Sequence, residues 1–503
     1  MSKMGILICA ILAIALGGYA LGQPAPAENL ASTAEQPAVA APAAPAGPSA
    51  SEIEMKQKLE KTGTALDAAM RRIDELEAKV NNINTQMGAT TQDVNSLSTQ
   101  MKDLEGKAKA PAAGGPAPAV KITPYGYVKF DVARDNNQTN STDNPNWVLS
   151  PAAHFSNDHQ FTMTLRQTRF GINLEGPDVE GAKSTGKIEI DFYGTAAAEN
   201  KAMPMMRQAY WQLSYPTWNV LVGQTWEPLA PLFPNTLNYN ALALQGNMGY
   251  RKPQIRYERM DKVFGDKTIQ TDVAVVRSIG NNVVSTSSLD DEGSDAGWPV
   301  LQSRVAFSTP TSIGRPLAIG LSGHYGTEEF NTVTVTAGPP AAFRTVNGKG
   351  RQFETVSGNL DWTVPVWRDI DVIGEFWIGK NVDAFTGGIG QGVNCMVNQG
   401  TRTATASLEK GVEAIGGWTQ VTYRPKPLPK WLFNAGIGID DPENDDLSGS
   451  LNRTRNSVEY ANAIYSLNAN TKIGVEVSWM ATDFMAAPEG ENLRVQGALQ
   501  YNF

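Results

Sequence analysis

Cysteine is nearly absent. The 503 residues hold two, Cys9 and Cys395. Cys9 lies in an N-terminal apolar run. If that run is cleaved one thiol remains, which excludes an intrachain disulfide and a cysteine-rich metal site. Histidine is as scarce, with only His154, His159 and His324, so zinc chemistry built on imidazole is nearly excluded. Charged residues make up 18%, below the ~25% of ordinary domains. Acids outnumber bases 51 to 42, the wrong sign for a nucleic-acid partner. Only one apolar run, at the N-terminus, is long enough to suggest a membrane helix, which excludes a helical membrane protein. What the chain has instead is 47 Gly, 11 Trp, 14 Tyr and 16 Phe, a composition that leans towards strands and turns.

The first segment reads as an address. Lys3 precedes the apolar run Ile6 to Leu16, and the small residues of Ala20-Leu21-Gly22 stand before Gln23. A short charged region, an apolar stretch and a small-residue site predict a secretory signal peptide over 1–22. Cys9 lies too early to be a lipoprotein cysteine. Residues 23–50 are an Ala/Pro-rich linker that cannot bury a core. Then Leu59, Leu66, Ile73, Val80, Met87, Val94 and Met101 recur every seven residues, followed three positions on by Thr62, Ala69, Leu76, Ile83, Thr90, Leu97 and Leu104. This seam predicts a coiled coil over 51–105. At ~1.5 Å per residue it would span roughly 80 Å. Its oligomerisation contacts would be Leu59, Leu66, Ile73, Leu76, Val80, Ile83, Val94 and Leu97, and its consequence is self-association; the mixed seam leaves dimer and trimer open. A second Ala/Pro/Gly linker, 106–120, ends it.

From 121 to 503 the period changes to two. Val128 and Phe130 alternate with Lys129 and Asp131; Ile188, Ile190 and Phe192 with Glu189 and Asp191; Val477 and Trp479 with Glu476 and Ser478. About 16 such segments fill these 383 residues. No segment has the long apolar run of a buried parallel strand, and no helical crossover lies between strands. The connections alternate. Short ones fall at 176–178, 215–217, 261–267, 310–314, 365–367, 424–429 and 467–469. Long ones fall at 135–160, 195–204, 227–249, 280–298, 327–348, 382–409, 441–452 and 484–490. Tight turns at one end and long loops at the other are the pattern of an outer-membrane barrel. The expected fold is all-β: a 16-stranded antiparallel transmembrane β-barrel preceded by a periplasmic α-helical coiled coil. A secreted sandwich or propeller is the competing reading, and the propeller lacks its internal repeat. The last strand ends in Phe503 on an alternating pattern, which resembles the signal by which outer-membrane barrels are recognised by the barrel-assembly machinery.

Several motifs resemble the DcaP-like trimeric porins of Gram-negative outer membranes. They are Arg169-Phe170-Gly171, Ile188-Glu189-Ile190-Asp191-Phe192-Tyr193-Gly194, Arg207-Gln208-Ala209-Tyr210, Val222-Gly223-Gln224-Thr225-Trp226 and Arg251-Lys252-Pro253-Gln254-Ile255-Arg256-Tyr257. They cover about 170–257 in the family's order. The resemblance implies a 16-stranded homotrimeric porin that passes small, mainly anionic organic solutes such as dicarboxylates. The chain departs from the family after Trp226, where Glu227-Pro228 stands.

A barrel of this size leaves an aqueous channel whose selectivity is set by its lining charges. Alternation sends Lys129, Arg169, Arg256, Arg304 and Arg494 into the lumen with Glu189 and Asp191. Arg169, Arg256 and Arg304 form the candidate basic wall, since a guanidinium stays charged and binds carboxylates bidentately. The plainer alternative is that lumen bases and acids pair across the wall. The loop 227–249 is too apolar for a free surface and is stiffened by proline. It is the constriction candidate, with Glu227, Phe233, Asn235 and Tyr239; packing at a subunit interface is the alternative. The acidic runs Asp290-Asp291-Glu292 and Asp440 to Asp446 could hold divalent ions near lipopolysaccharide, though such runs are usually just solvated. No catalytic constellation, cofactor or metal is implied. Expected partners are the chain itself, outer-membrane lipid and lipopolysaccharide, the assembly machinery and, as a further candidate, peptidoglycan. The function expected is passive diffusion; the alternative is a plugged barrel serving as an anchor for a periplasmic tether.

Overall fold

The computed structural model describes residues 120–151, 158–194, 202–277, 296–330, 333–336, 344–347, 351–397, 403–447 and 449–503. The predicted signal peptide, both linkers up to 119, the coiled coil over 51–105 with its eight seam contacts, and Asp290-Asp291-Glu292 lie outside these residues.

The strands run in chain order. β1 (Lys121–Asp135), β2 (Gln160–Thr164), β3 (Arg169–Glu175), β4 (Lys183–Gly194), β5 (Met203–Ser214), β6 (Trp218–Trp226) and β7 (Arg251–Val263) come first. β8 (Lys267–Val276), β9 (Val300–Thr309), β10 (Leu317–Phe330), β11 (Val333–Thr336), β12 (Arg344–Asn347), β13 (Arg351–Trp367) and β14 (Ile370–Lys380) follow. β15 (Val393–Val397), β16 (Thr403–Gly411), β17 (Glu413–Tyr423), β18 (Trp431–Pro442), β19 (Arg453–Ser466), β20 (Thr471–Phe484) and β21 (Gly490–Asn502) complete the chain. β11, β12, β15 and β16 form a small separate sheet built from two of the long connections. The other strands pair antiparallel, each with its sequence neighbour in the wall.

β2 and β3 are one stave with a break. Both pair with β1, β3 from Lys121↔Glu175 to Tyr127↔Arg169 and β2 from Asp131↔Thr164 to Asp135↔Gln160. In the gap the Lys129 N–H donates to Thr168 Oγ1 at 3.2 Å, which replaces the ladder bond lost at the break. Counting β2 and β3 once gives a 16-stranded antiparallel wall. It closes where β1 pairs with β21, from Tyr127↔Asn502 to Asp135↔Arg494. Gly126 sits at the seam and exchanges both main-chain hydrogen bonds with Phe503. A Cβ on Gly126 would stand 2.3 Å from the Arg169 carbonyl oxygen, so the seam requires glycine there. The Phe503 ring packs against Phe170 at 5.7 Å.

The faces are inverted relative to a water-soluble sandwich. Leu321 is 64% exposed and Ile255 58%, whereas Asp191 and Gln420 are fully buried and Arg494 is 2% exposed. Outward residues are apolar and inward ones polar along β1, β8, β9, β14, β17, β20 and β21. Closure leaves the barrel wall with no open edge strand among the described residues. Such a surface is stable only in hydrocarbon, and the barrel is an outer-membrane protein. All short turns lie at one end with the start of β1 and the end of β21; the long loops lie at the other. The turn expected at 365–367 falls two residues later, because β13 runs through Pro365 with a register shift before Trp367.

Candidate channel and its inner loops

The connection 227–250 leaves β6, crosses the lumen and returns to β7. Its neck is closed by Glu227 and Tyr250. The Glu227 N–H donates to the Tyr250 carbonyl at 3.1 Å, and the Tyr250 N–H donates to Glu227 Oε1 at 2.9 Å. Glu227 also pairs with Gln302 and lies 3.9 Å from Lys252; burial pushes its carboxyl up from the usual range. Prolines 228, 231 and 234 remove N–H groups that a strand would need, so the segment cannot join the wall. Its remaining main-chain groups find partners on the far side.

Those partners are wall side chains. Glu375 of β14 accepts the Leu232 N–H at 2.6 Å. Gln420 of β17 accepts the Asn235 N–H at 2.6 Å, and Asn462 of β19 donates to the Asn235 carbonyl at 2.6 Å. Glu476 of β20 accepts the Leu237 N–H at 2.7 Å, while Lys129 of β1 donates to the Leu237 carbonyl at 2.7 Å. Asn456 and Trp377 hold the carbonyls of Leu244 and Gly246 at 2.6 and 2.9 Å. Gly246 has φ +110°, and a Cβ there would stand 2.2 Å from the Gly417 carbonyl oxygen. The inner loop is therefore pinned from five staves.

On the near side the loop meets a charged knot. Arg207 of β5 donates to Glu189 at 2.9 Å, reaches Asp191 at 2.5 Å and donates to the Tyr239 hydroxyl at 3.0 Å. Tyr239 in turn donates to Asp191 at 2.8 Å and stacks on Tyr193 with centroids 3.7 Å apart. Burial pushes the Tyr239 hydroxyl up to about 12, against the pull of Arg251 and Arg207. Phe233 packs on Trp226 at 4.4 Å, and Asn235 is exposed at the loop's tip.

A second inner loop, 381–392, comes from the top of β14. Its first turn, Asp383–Phe385, places Phe385 on His324 of β10, with centroids 4.0 Å apart, and beneath Lys252 Nζ at 3.3 Å. The Gly249 N–H donates to the Phe385 carbonyl at 2.7 Å, and Leu244 donates to Thr386, so the two inner loops are joined. Asp440 accepts the Ile389 N–H at 3.1 Å and Arg453 donates to the Ile389 carbonyl at 2.9 Å. Burial pushes the Asp383 carboxyl up to about 6.

Each residue singled out in the sequence can now be placed. Lys129 faces inward but is buried against Asp131 at 3.0 Å and serves the inner loop. Arg494 is held by Asp135 at 2.7 Å and donates to the Thr142 carbonyl. Arg304 forms a two-pronged pair with Asp361, 2.9 and 2.8 Å. Arg256 pairs with Glu258 at 2.8 Å and donates to the Trp226 carbonyl. Arg169 lies over Tyr127 and 3.7 Å from Glu189. The candidate basic wall is thus threaded with carboxylates, and its members differ. Arg304 and Arg494 are neutralised, whereas Nε of Arg169 and Nε of Arg256 have no hydrogen-bond acceptor among the described residues. Glu189 and Asp191 face inward and are gripped by Arg207. Glu227 forms the neck; Phe233, Asn235 and Tyr239 lie inside the barrel rather than at an outer interface.

Sequence reasoning missed Arg207, Arg251 and the second inner loop. Arg207 has the parity of an outward residue, but a register shift between Glu189 and Ile190 turns it inward. Arg251 is 4% exposed, lies between Trp226 and Tyr250 at 4.9 and 4.8 Å, and keeps Nε and Nη1 without an acceptor among the described residues. The signal for the second inner loop was Phe385 before Gly387-Gly388-Ile389-Gly390, a run suited to left-handed turns.

The fold has solved counterparts. The outer membrane channel DcaP of Acinetobacter baumannii shares 18% identity over 76% of this chain and 98% of its own, with a TM-score of 0.58. An anion-selective porin from Comamonas acidovorans matches at 12% identity over 76% of this chain and 100% of its own, TM-score 0.46. OmpT of Vibrio cholerae matches at 10% over 77% and 99%, TM-score 0.47. At these identities the likeness is one of fold: a porin-like outer-membrane channel. No family model matches the sequence, and no curated protein matches it.

Proposed function

We propose that the barrel is a porin, not an enzyme, and that it passes small hydrophilic solutes by diffusion with a preference for small organic anions, dicarboxylates among them. The observation that carries the reading is the unequal exposure of arginines and carboxylates beside the inner loop: the Arg169 and Arg256 side chains are partly exposed, and Glu189 and Asp191 are buried. Arg169, Arg251 and Arg256 retain guanidinium N–H groups with no acceptor among the described residues. The nearby carboxylates Glu189 and Asp191 are engaged by Arg207, Tyr125 and Tyr239. A passing carboxylate meets the partly exposed guanidinium groups of Arg169 and Arg256, whereas Glu189 and Asp191 are buried and already gripped. The resemblance to DcaP-like porins is of the same sign. The heptads over 51–105 support self-association, and the resemblance to DcaP-like porins makes the assembly a homotrimer.

Liposome swelling tests the reading. Vesicles carrying the full-length protein should swell faster in a small dicarboxylate than in a neutral solute of equal size, and slowest in a diamine. Equal rates, or a faster diamine, would remove the anion preference. One observation favours the second reading, a plugged barrel that anchors a periplasmic tether: the two inner loops hydrogen-bond to each other across the lumen. No swelling in any solute, from oligomers that are folded, would favour that reading.

A further inference from the structure

The short-turn end of the barrel is unevenly charged. From the β9–β10 turn to the start of β20 it carries Arg315, Arg368, Arg424, Lys426, Lys430 and Lys472, against Asp369 and Asp371. Asp371 is shared by Arg315 and Arg424. Arg368, Lys426 and Lys430 are exposed on the β13–β14 and β17–β18 turns, while Lys472, within β20, has the inward parity of Glu476. The other sector of the same rim has no such excess. There Lys121 closes on Glu175 at 3.0 Å and Arg259 on Asp261 at 2.7 Å, while Asp178, Glu180 and Asp266 offset Lys183, Lys262 and Lys267.

Just on the membrane side of this basic arc lies a band of outward aromatic rings. Trp367 is 67% exposed. Trp431 stacks on Phe433 with centroids 5.6 Å apart and packs on Tyr465 at 4.9 Å. Lys430 Nζ lies 6.0 Å from the Tyr465 ring and donates to the Leu467 carbonyl. Aromatic rings of this kind settle at headgroup depth. Cations immediately beyond them stand at the plane of lipid phosphates.

We propose that the arc from β9 to β20 docks anionic phospholipid headgroups of the leaflet that faces the short turns. Apolar side chains decide between a lipid and a water-soluble polyanion. Val366 and Trp367 precede Arg368, and Leu428 stands between Lys426 and Lys430; Val366 and Leu428 are 53% and 50% exposed. A cell-wall polymer would pair the cations and leave those side chains in water. A phospholipid covers both, phosphate on the cations and acyl chain on the rings. The arc would hold a ring of anionic lipid on one side of the barrel only.

The test is lipid retention by the full-length protein, read by native mass spectrometry with phosphatidylglycerol and phosphatidylcholine as probes. The wild type should hold phosphatidylglycerol in preference. The triple variant Arg368→Gln, Lys426→Gln, Lys430→Gln should lose about fivefold in affinity per residue, on the order of 100-fold in all. The triple variant Lys183→Gln, Lys262→Gln, Lys267→Gln, on the opposite sector, should keep the wild-type preference. All six side chains are exposed or half-exposed at turns, and heat-modifiable migration checks that each variant folds. Equal retention of the two lipids by the wild type, or equal loss in both variants, would overturn the proposal. So would an arc variant that keeps its lipid preference but no longer sediments with isolated cell wall.

Discussion

The inner loop is held in the lumen by buried carboxylates, and Glu476 is the sharpest place to ask how firmly. Its carboxylate accepts the Leu237 N–H at 2.7 Å and Asn462 Nδ2 at 2.9 Å, and faces the Asn238 N–H at 3.4 Å. Glu476→Gln preserves shape and leaves one acceptor oxygen. The new amide N–H₂ must face one of the loop's own donors, so one buried N–H is left without a partner. A charge-assisted hydrogen bond contributes about 1.5–3 kcal/mol, and stranding a buried donor costs about 1–3 kcal/mol. Taking about 2–3 kcal/mol for the exchange, the population of states with 235–238 lifted from the wall should rise on the order of 30- to 150-fold. Hydrogen exchange reads this directly: the Leu237 and Asn238 amides should exchange faster by that factor, while Leu244 and Gly246, held by Asn456 and Trp377, change little. In a bilayer the same variant should flicker between conductance levels. Unchanged exchange at Leu237 and Asn238 would refute the idea that Glu476 pins the loop.

Three further outcomes follow from the same geometry. Arg304→Ala strands Asp361 beside Asp272 in the lumen, so it should cost about 3–5 kcal/mol, read as a lower temperature of heat modification; with Arg256→Ala added, the reversal potential should move towards cations, and an unmoved potential would dismiss the basic wall. Gly246→Ala places a Cβ 2.2 Å from the Gly417 carbonyl oxygen at φ +110°; the loop must leave its seat, and conductance should rise by a fixed step, not by flicker. Because burial lifts the Asp383 carboxyl from 3.8 to about 6, the docked second loop favours the protonated acid. Its stabilising contribution is full below about pH 4 and is lost as pH rises through 6. Exchange of the 383–390 amides, corrected for intrinsic rate, should be slower at pH 4 than at pH 7, and Asp383→Asn should abolish the difference.

Much of the barrel was legible because its rules are local. A two-residue period marks which side chains meet lipid, and Val128, Phe130 and Lys129 obey it in the structure. The alternation of short and long connections marks the two ends. Pro228, Pro231 and Pro234 beside Phe233 marked a loop that could join neither wall nor water. Pairing was not legible, because it is made across strands. Arg494 meets Asp135 from the other end of the chain, and Arg304 meets Asp361 from a stave two removed. Nor does parity survive a bulge: one register shift after Glu189 turns Arg207 from the lipid side to the centre of the charged knot. The second inner loop depended on a seat made by His324 and Lys252, which nothing near Phe385 in the sequence announces.

The central claim is a conducting channel whose exposed lining favours anions. It is tested most directly by the reversal potential of the purified full-length protein in a planar bilayer under a salt gradient. The account predicts stepwise conductance in triplets with a reversal potential on the anion side. Triplets that prefer cations would contradict the assignment of Arg169 and Arg256, and silence from folded, heat-modifiable oligomers would contradict the channel itself.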